Sequence, residues 1–495
     1  MKNNSSSNQT RAIHNRSRFR RVSSVSWLLF CCSFLSLHLP QRSRAEIRIT
    51  PRSVSAEACR IVVIDEQNGW PVSQMELITT HNVRFVSDNA GVVAFDLPEL
   101  MGQEVWLTVR GHGYERKADG FGSRGVSIIP ESGKTIEIQV TRTALAKRLG
   151  RLTGGGLFAE AQRFGQYTEL KESGILGCDS VLNARHAGKL FWAWGDTTLA
   201  RYPLGIFQMT GATTSLSPLA KFEPPVHLAF EHFRDAAGSP RGLAEIEGKG
   251  PTWLSGLVSL ADRQGKERLV AHYEKIQPPL TSYRTGLCEW DEQDRVFRSL
   301  KVLWEKSKEG GQARRRTQEP TGHPVRWTDQ EGKDWILFGD PFPYLQVSDS
   351  YEDWLDQHQW QALEAPKTVV SVDGPKIKVH RGAIGFSSFR NRWVALFTRI
   401  EGESAYLGEI WYCEAKSPLG PWGKAIKVLS HDRYTFYNPK MHLEMTPKSS
   451  PILLFEGTYT HQFSGNSDQT PREDYNQILY RLDLDDPKLK PAQSQ

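Results

Sequence analysis

Asp179–Leu199 reads DSVLNARHAGKLFWAWGDTTL: one apolar strand, a short polar turn, then a second strand crowded with aromatics. The same unit returns four more times. It reads GPTWLSGLVSLADRQGKERLVAHYEKI from Gly250, GHPVRWTDQEGKDWILFGDP from Gly322, HRGAIGFSSFRNRWVALFTRI from His380 and NPKMHLEMTPKSSPILLFEGTYT from Asn438. The aromatic second strands begin near Phe191, Arg268, Trp335, Arg392 and Ile452, at intervals of 77, 67, 57 and 60 residues. Each interval has room for a four-stranded sheet, and internal repetition at this scale is the mark of a repeat architecture. Tails such as GEIWYCEAKSPLGPWG (408–423) and QILYRLDLDDP (477–487) supply outer strands, and only SYEDWLDQHQWQAL (350–363) has helical periodicity. Five such sheets close most simply as a five-bladed β-propeller over 166–490. Two stacked sandwiches are the competing reading. The long aromatic hairpins, each with a polar cluster at its start, favour the propeller.

Upstream, residues 57–143 alternate short β-branched strands with turns: CRIVVID, MELITT, VRFVSD, VVAFDL, EVWLTVRG and TIEIQVTR. That rhythm predicts a β-sandwich. Residues 144–165, with Gly154-Gly155-Gly156, read as a flexible linker. The expected fold class is therefore all-β, an N-terminal β-sandwich followed by a five-bladed β-propeller.

Residues 1–45 have the layout of a secretory signal: a basic stretch ending in Arg20-Arg21, the apolar run VSWLLFCCSFLSLHL (25–39), then Pro40 and Ser43-Arg44-Ala45. The run is short against the ~20 residues of a spanning helix. A secreted or periplasmic protein is expected, with no membrane contact beyond this segment. The chain's net charge is +6, but 1–45 hold eight Lys/Arg and no acid, so the remainder carries −2. A near-neutral body lacks the basic surface that grips nucleic acid. Cys59, Cys178, Cys288 and Cys413 in the body form no CxxC pair, which argues against a zinc site and a disulfide framework. There is also no GxSxG elbow, P-loop or HExxH. A monomer without cofactor is expected, and a Ca²⁺ held by carbonyls and water would leave no sequence signature.

Two resemblances follow from these residues. Around Gly111, Gly113 and Tyr114, the N-terminal module resembles transthyretin-like or carboxypeptidase-regulatory-like domains. The hairpin rhythm, with Tyr412–Trp422 (YCEAKSPLGPW), resembles the five-bladed propeller glycosidases of the arabinanase, xylosidase and levansucrase/invertase type. That resemblance implies a blade-one Asp as base or nucleophile, a blade-two Asp that orients and tunes, and a blade-three Glu as acid. Asp179 stands at the first place and Glu319 at the third. Blade two opens Gly250-Pro251-Thr252-Trp253 without a carboxylate, although Glu245 and Glu247 lie just upstream.

Glycoside cleavage needs one carboxylic acid and one carboxylate, so Asp179 and Glu319 are the expected catalytic pair. Asp196, in Gly195-Asp196-Thr197, could serve in place of one of them but reads first as a turn cap, as does Asp340 in the similar turn Gly339-Asp340-Pro341. Glu456 reads as structural, holding Arg472 or Arg481. Trp253 is expected to stack on a sugar, and His323, Arg381, Asn438 and His442 to bind hydroxyls or a carboxylate. An Arg opening an inner strand needs an anion or a buried ion pair, which a uronate or sulfate would supply. The run Tyr434–Pro439 reads as packing between blades five and one. The basic run GGQARRRTQ (310–318) is an exposed loop that would rim an anionic-glycan funnel. The expected ligand is a polysaccharide or oligosaccharide, cleaved by a hydrolase or, alternatively, bound without turnover.

Overall fold

The computed structural model describes residues 58–306 and 318–493. The signal-like segment 1–45 and positions 310–317 of the basic run lie outside the described residues.

The N-terminal module is a pair of four-stranded sheets. One runs in the spatial order Val92–Phe95, Cys59–Asp65, Thr135–Arg142, Tyr114–Glu115, and the other Arg84–Val86, Glu76–Thr79, Val105–Arg110, Gly125–Ile128. Strict alternation along Cys59–Asp65 sends Cys59, Ile61 and Val63 inward, where they meet Leu77, Phe95, Leu107 and Val140. Each such side chain contributes about 1.5–3 kcal/mol on full burial.

Five sheets follow in chain order, one for each repeated unit. Blade one pairs Val181–His186 with Lys189–Leu199 across Ala187 and Gly188. Both turn residues have positive φ, 47° and 74°, the two-residue geometry that matches strand twist. The strands that lead blades two, three and five are Thr252–Ala261, Val325–Thr328 and Thr435–Met441, and in blade four the short Thr368–Val370 pairs ahead of Lys376–Ser387. Tyr351–Leu355 forms the short helix expected there, capped by the Ser350 side chain on the Asp353 N–H. Cys59, Cys178, Cys288 and Cys413 are free and buried.

The 144–165 segment departs from the flexible linker expected of it. Lys147–Arg151 pairs antiparallel with Asn476–Asp483 as the outermost strand of blade five. The C-terminal part of the chain supplies that blade with Thr435–Met441, Ile452–Thr460 and Asn476–Asp483, which would leave an open edge of unpaired N–H and C=O groups. The chain's early strand covers it and closes the ring. Arg148 and Arg151 are both buried there. Arg148 donates to the Ser73 carbonyl (2.7 Å) and to that of His112 on the sandwich. Arg151 donates to the carbonyls of Arg472 (2.8 Å) and Gly155 (2.7 Å) and stands 3.2 Å from Glu473. No solvated hinge separates sandwich from propeller.

Candidate active site

The first residues of the inner strands converge on one cavity of about 640 Å³. Blade one brings Asp179 and, from its second strand, Asp196; blade two Trp253 and Ser255; blade three Gly322, His323 and Asp340; blade four His380 and Arg381; blade five Tyr437 and Asn438. Blades two and three are stitched at this level, because Gly256 N–H donates to Gly322 O (3.0 Å) and Gly322 N–H to Ser255 Oγ (2.8 Å). Gly322 has φ +85°, and a Cβ there would stand 1.9 Å from Gly339 O. Only glycine fits so close a backbone approach.

Asp179 lies where the sequence placed it and is densely hydrogen-bonded. Its Oδ1 accepts from Ser180 N–H (2.5 Å), Ser180 Oγ (2.7 Å), Tyr437 Oη (2.6 Å) and Thr458 Oγ1 (3.3 Å); its Oδ2 faces Tyr475 Oη at 3.4 Å. Asp196 is its cross-strand neighbour: Asp179 N–H donates to Asp196 O at 3.0 Å, one step beyond the Cys178–Thr197 pair. Directly opposed residues have Cβ atoms about 4.5–5.5 Å apart.

The two carboxyls sit in different surroundings. Asp196 accepts one hydrogen bond, from Trp253 Nε1 at 3.1 Å. Burial, aided by the charge of Asp179 and opposed by the Trp253 bond, pushes Asp196 up to about 7. Near neutral pH about half of the molecules therefore carry a proton on Asp196, and that proton can be given away. Asp340, across the cavity, is pushed up to about 6 by burial, against the pull of Arg381 and of the Gly382 N–H at 2.8 Å. Its Oδ2 stands 3.5 Å from Arg381 Nε, whose side chain is 57% exposed to the cavity. Burial and the Arg381 charge hold His380 down at about 4. Burial, with the charges of Lys440, His442 and Arg381, keeps His323 well below the usual imidazole range. Both imidazoles are neutral at pH 7 and can exchange hydrogen bonds with hydroxyls.

Asn438 has φ +52° at a bulge in blade five's inner strand, a region that Asn tolerates better than most residues. The bend lets its Nδ2 donate to Ser180 Oγ (2.5 Å) and leaves its buried Oδ1 without a partner. Tyr406 and Phe463 complete the rim, exposed by 51% and 65%. Flat rings at a polar cavity mouth suit the apolar face of a sugar.

Of the seven residues singled out in the sequence, the cavity gathers Asp179, Trp253, His323, Arg381 and Asn438. Glu319 and His442 are not in its lining. Glu319 is buried, its Oε2 2.6 Å from His272 Nε2 and its Oε1 3.2 Å from Thr285 Oγ1, both in blade two. It therefore stitches blade three's approach to blade two rather than facing Asp179. His442 lies four residues past Asn438, fully buried, 2.7 Å from Glu456 and 3.1 Å from Glu444. Glu456 thus holds His442, whereas Arg472 pairs with Glu160 and Arg481 with Asp483. Glu245 and Glu247 are exposed and outside the cavity. The sequence reading underrated Asp196, Asp340 and Tyr437. The usable signal was register, since Asp196 falls opposite Asp179 once the hairpin turn is fixed at Ala187-Gly188.

No protein-family model matches the chain, and no curated protein matches it. Among solved structures it is similar to an exo-1,5-alpha-L-arabinanase from a bovine ruminal metagenomic library, at 11% identity over 63% of this chain and 94% of that one, with a TM-score of 0.36. It is also similar to an arabinanase of Bacillus subtilis (12% identity, 62% and 96%, TM-score 0.31). A third is an exo-beta-1,3-galactanase of Phanerochaete chrysosporium with galactose (9% identity, 69% and 65%, TM-score 0.35).

Proposed function

We propose that this is a secreted glycoside hydrolase acting on a plant or algal polysaccharide, and that its two working carboxyls are Asp179 and Asp196. The observation that carries the reading is the contrast between these neighbours. Asp179 is held by several hydrogen-bond donors, while Asp196, also partly buried, accepts from Trp253 and keeps a substantial share of its proton near neutrality. Carboxyls in unlike surroundings take unlike acid–base roles.

Glycosidic cleavage uses such a pair. Asp196 gives its proton to the leaving oxygen. Asp179, fixed by Tyr437 and Ser180, acts as the carboxylate: either it takes a proton from the water that attacks the anomeric carbon, or it attacks that carbon itself, and water activated by the deprotonated Asp196 then cleaves the glycosyl ester, restoring both groups. Trp253 donates to Asp196 throughout and steadies the carboxylate left after proton transfer. Positioned acid–base groups contribute about 10²–10⁴-fold in rate. Arg381, which stands 3.5 Å from Asp340 and keeps more than half of its side chain open, answers an acidic group on the sugar, a uronate or sulfate.

One observation favours a second reading, a propeller that binds glycan without turning it over: blade two brings Trp253 and Ser255 to the cavity but no carboxylate. A panel of neutral, uronate-bearing and sulfated oligosaccharides decides. The hydrolase reading expects new reducing ends from at least one of them, lost in Asp179→Asn. Binding with no product from any saccharide that binds would establish the second reading.

A further inference from the structure

We propose that the β-sandwich is a positioning domain for the cavity, acting through the loop 461–475 of the last blade. The inference rests on the cavity being the working site. Three neighbouring strands of one sandwich sheet carry Arg84, Glu76 and Arg110: Glu76 and Arg110 are directly opposed in register, and Arg84, opposite Ile78, reaches Glu76 Oε2 at 3.4 Å. Glu76 Oε2 accepts from Arg110 Nε at 2.7 Å, so the second sandwich sheet offers a fixed pair of guanidiniums.

Both guanidiniums close on one loop residue. Arg84 Nη2 donates to both oxygens of Asp468, at 2.7 and 2.8 Å, and its Nη1 to the Gln469 carbonyl at 3.0 Å. Arg110 Nη2 adds a bond to Asp468 Oδ2 at 3.1 Å. Charge-assisted bonds of this kind are shorter and stronger than neutral ones, and two guanidiniums share this one carboxylate. The loop between Ile452–Thr460 and Asn476–Asp483 is thus tied to the sandwich at its middle.

The same loop carries two groups of the site. Phe463 stands on the cavity rim, edge-on to Tyr437 with centroids 6.0 Å apart. Tyr475 faces Asp179 Oδ2. Releasing Asp468 therefore loosens a stacking surface and one neighbour of the catalytic carboxylate, with little loss of core, because Asp468 is itself half-exposed.

The test is Asp468→Ala in the full chain, with Asp468→Glu as the conservative variant and Glu401→Ala, which removes the exposed Lys378 pair on blade four, as control. Exposed ion pairs are each worth roughly 1.4- to 5-fold. Amides of 461–475 should accordingly exchange hydrogen about 3- to 30-fold faster in Asp468→Ala, with the melting temperature nearly unchanged. On an oligosaccharide that is turned over, KM should rise about 3- to 10-fold, more than kcat falls, and Asp468→Glu should restore most of it. Unchanged exchange in 461–475 overturns the clamp. Faster exchange with unchanged KM keeps the clamp but removes its role at the site. A wild-type protein that binds no saccharide, with loop exchange still tied to Asp468, removes the hydrolase reading and leaves the clamp.

Discussion

Tyr437, on the first strand of the last blade, donates to Asp179 Oδ1 at 2.6 Å at the mouth of the first blade. The bond spans the junction where the propeller closes on itself, so ring closure and the state of the candidate carboxylate are coupled. Tyr437→Phe removes the donor and keeps the ring. Hydrogen bonds to charged groups are worth about 1.5–3 kcal/mol. A kcat/KM reduced about 10- to 100-fold with little change in melting temperature is expected.

Asp196 gives a pH signature in stability that needs no substrate. Its pKa in the folded chain is about 7, against about 3.9 for an unperturbed Asp. Between these values the folded state holds a proton that the unfolded state has lost, so stability falls as pH rises from about 4 to about 7. Asp196→Asn removes that penalty and can still accept from Trp253. Its melting temperature relative to wild type should rise from pH 4 to pH 8, by a few degrees. A difference that is flat with pH would place Asp196 in a wetter setting than the structure gives it.

Glu319→Gln should leave kcat/KM within about threefold, because Glu319 is turned to His272 and Thr285 and away from the cavity. The cost appears in stability, about 1–3 kcal/mol for a disturbed buried pair, read by chemical denaturation. Loss of activity on the scale of Asp179→Asn would restore Glu319 to the catalytic pair.

A chain beginning at residue 166 should not fold as a propeller, since it lacks Lys147–Arg151 and the buried Arg151 that stands against Glu473. Removing one partner of a buried ion pair costs about 3–5 kcal/mol, before the lost strand is counted. Circular dichroism and size exclusion on that fragment check this. Limited proteolysis of the full chain should likewise spare Lys147–Arg151.

Much of this architecture is legible in the sequence, because hairpins are local. The pairing of Val181–His186 with Lys189–Leu199 is announced by two apolar runs around a short turn. Strand starts then point at Asp179, Trp253, Arg381 and Asn438. What fails is non-local or depends on direction. Lys147–Arg151 reads KRLGR, too polar and short to declare a strand, and its partner lies more than 300 residues away. Glu319 precedes its inner strand by six residues, enough chain to turn back onto blade two. His442 sits past the bulge at Asn438, where the strand has carried it into the ring's buried interior. Asp196 reads first as a turn cap, because a turn-capping Asp and a partly buried acid look alike until the cross-strand partner is known.

The most direct test of the central claim is the pH–rate profile of wild type and Asp196→Asn on a saccharide that the wild type cleaves. With Asp196 as the proton donor, wild-type kcat/KM falls as pH rises through about 7, and Asp196→Asn loses about 10²–10⁴-fold together with that alkaline limb. Asp340→Asn, altered beside Arg381, keeps the limb. An Asp196→Asn enzyme that retains wild-type rates and the same alkaline limb would contradict the account and pass the proton-donor role to Asp340.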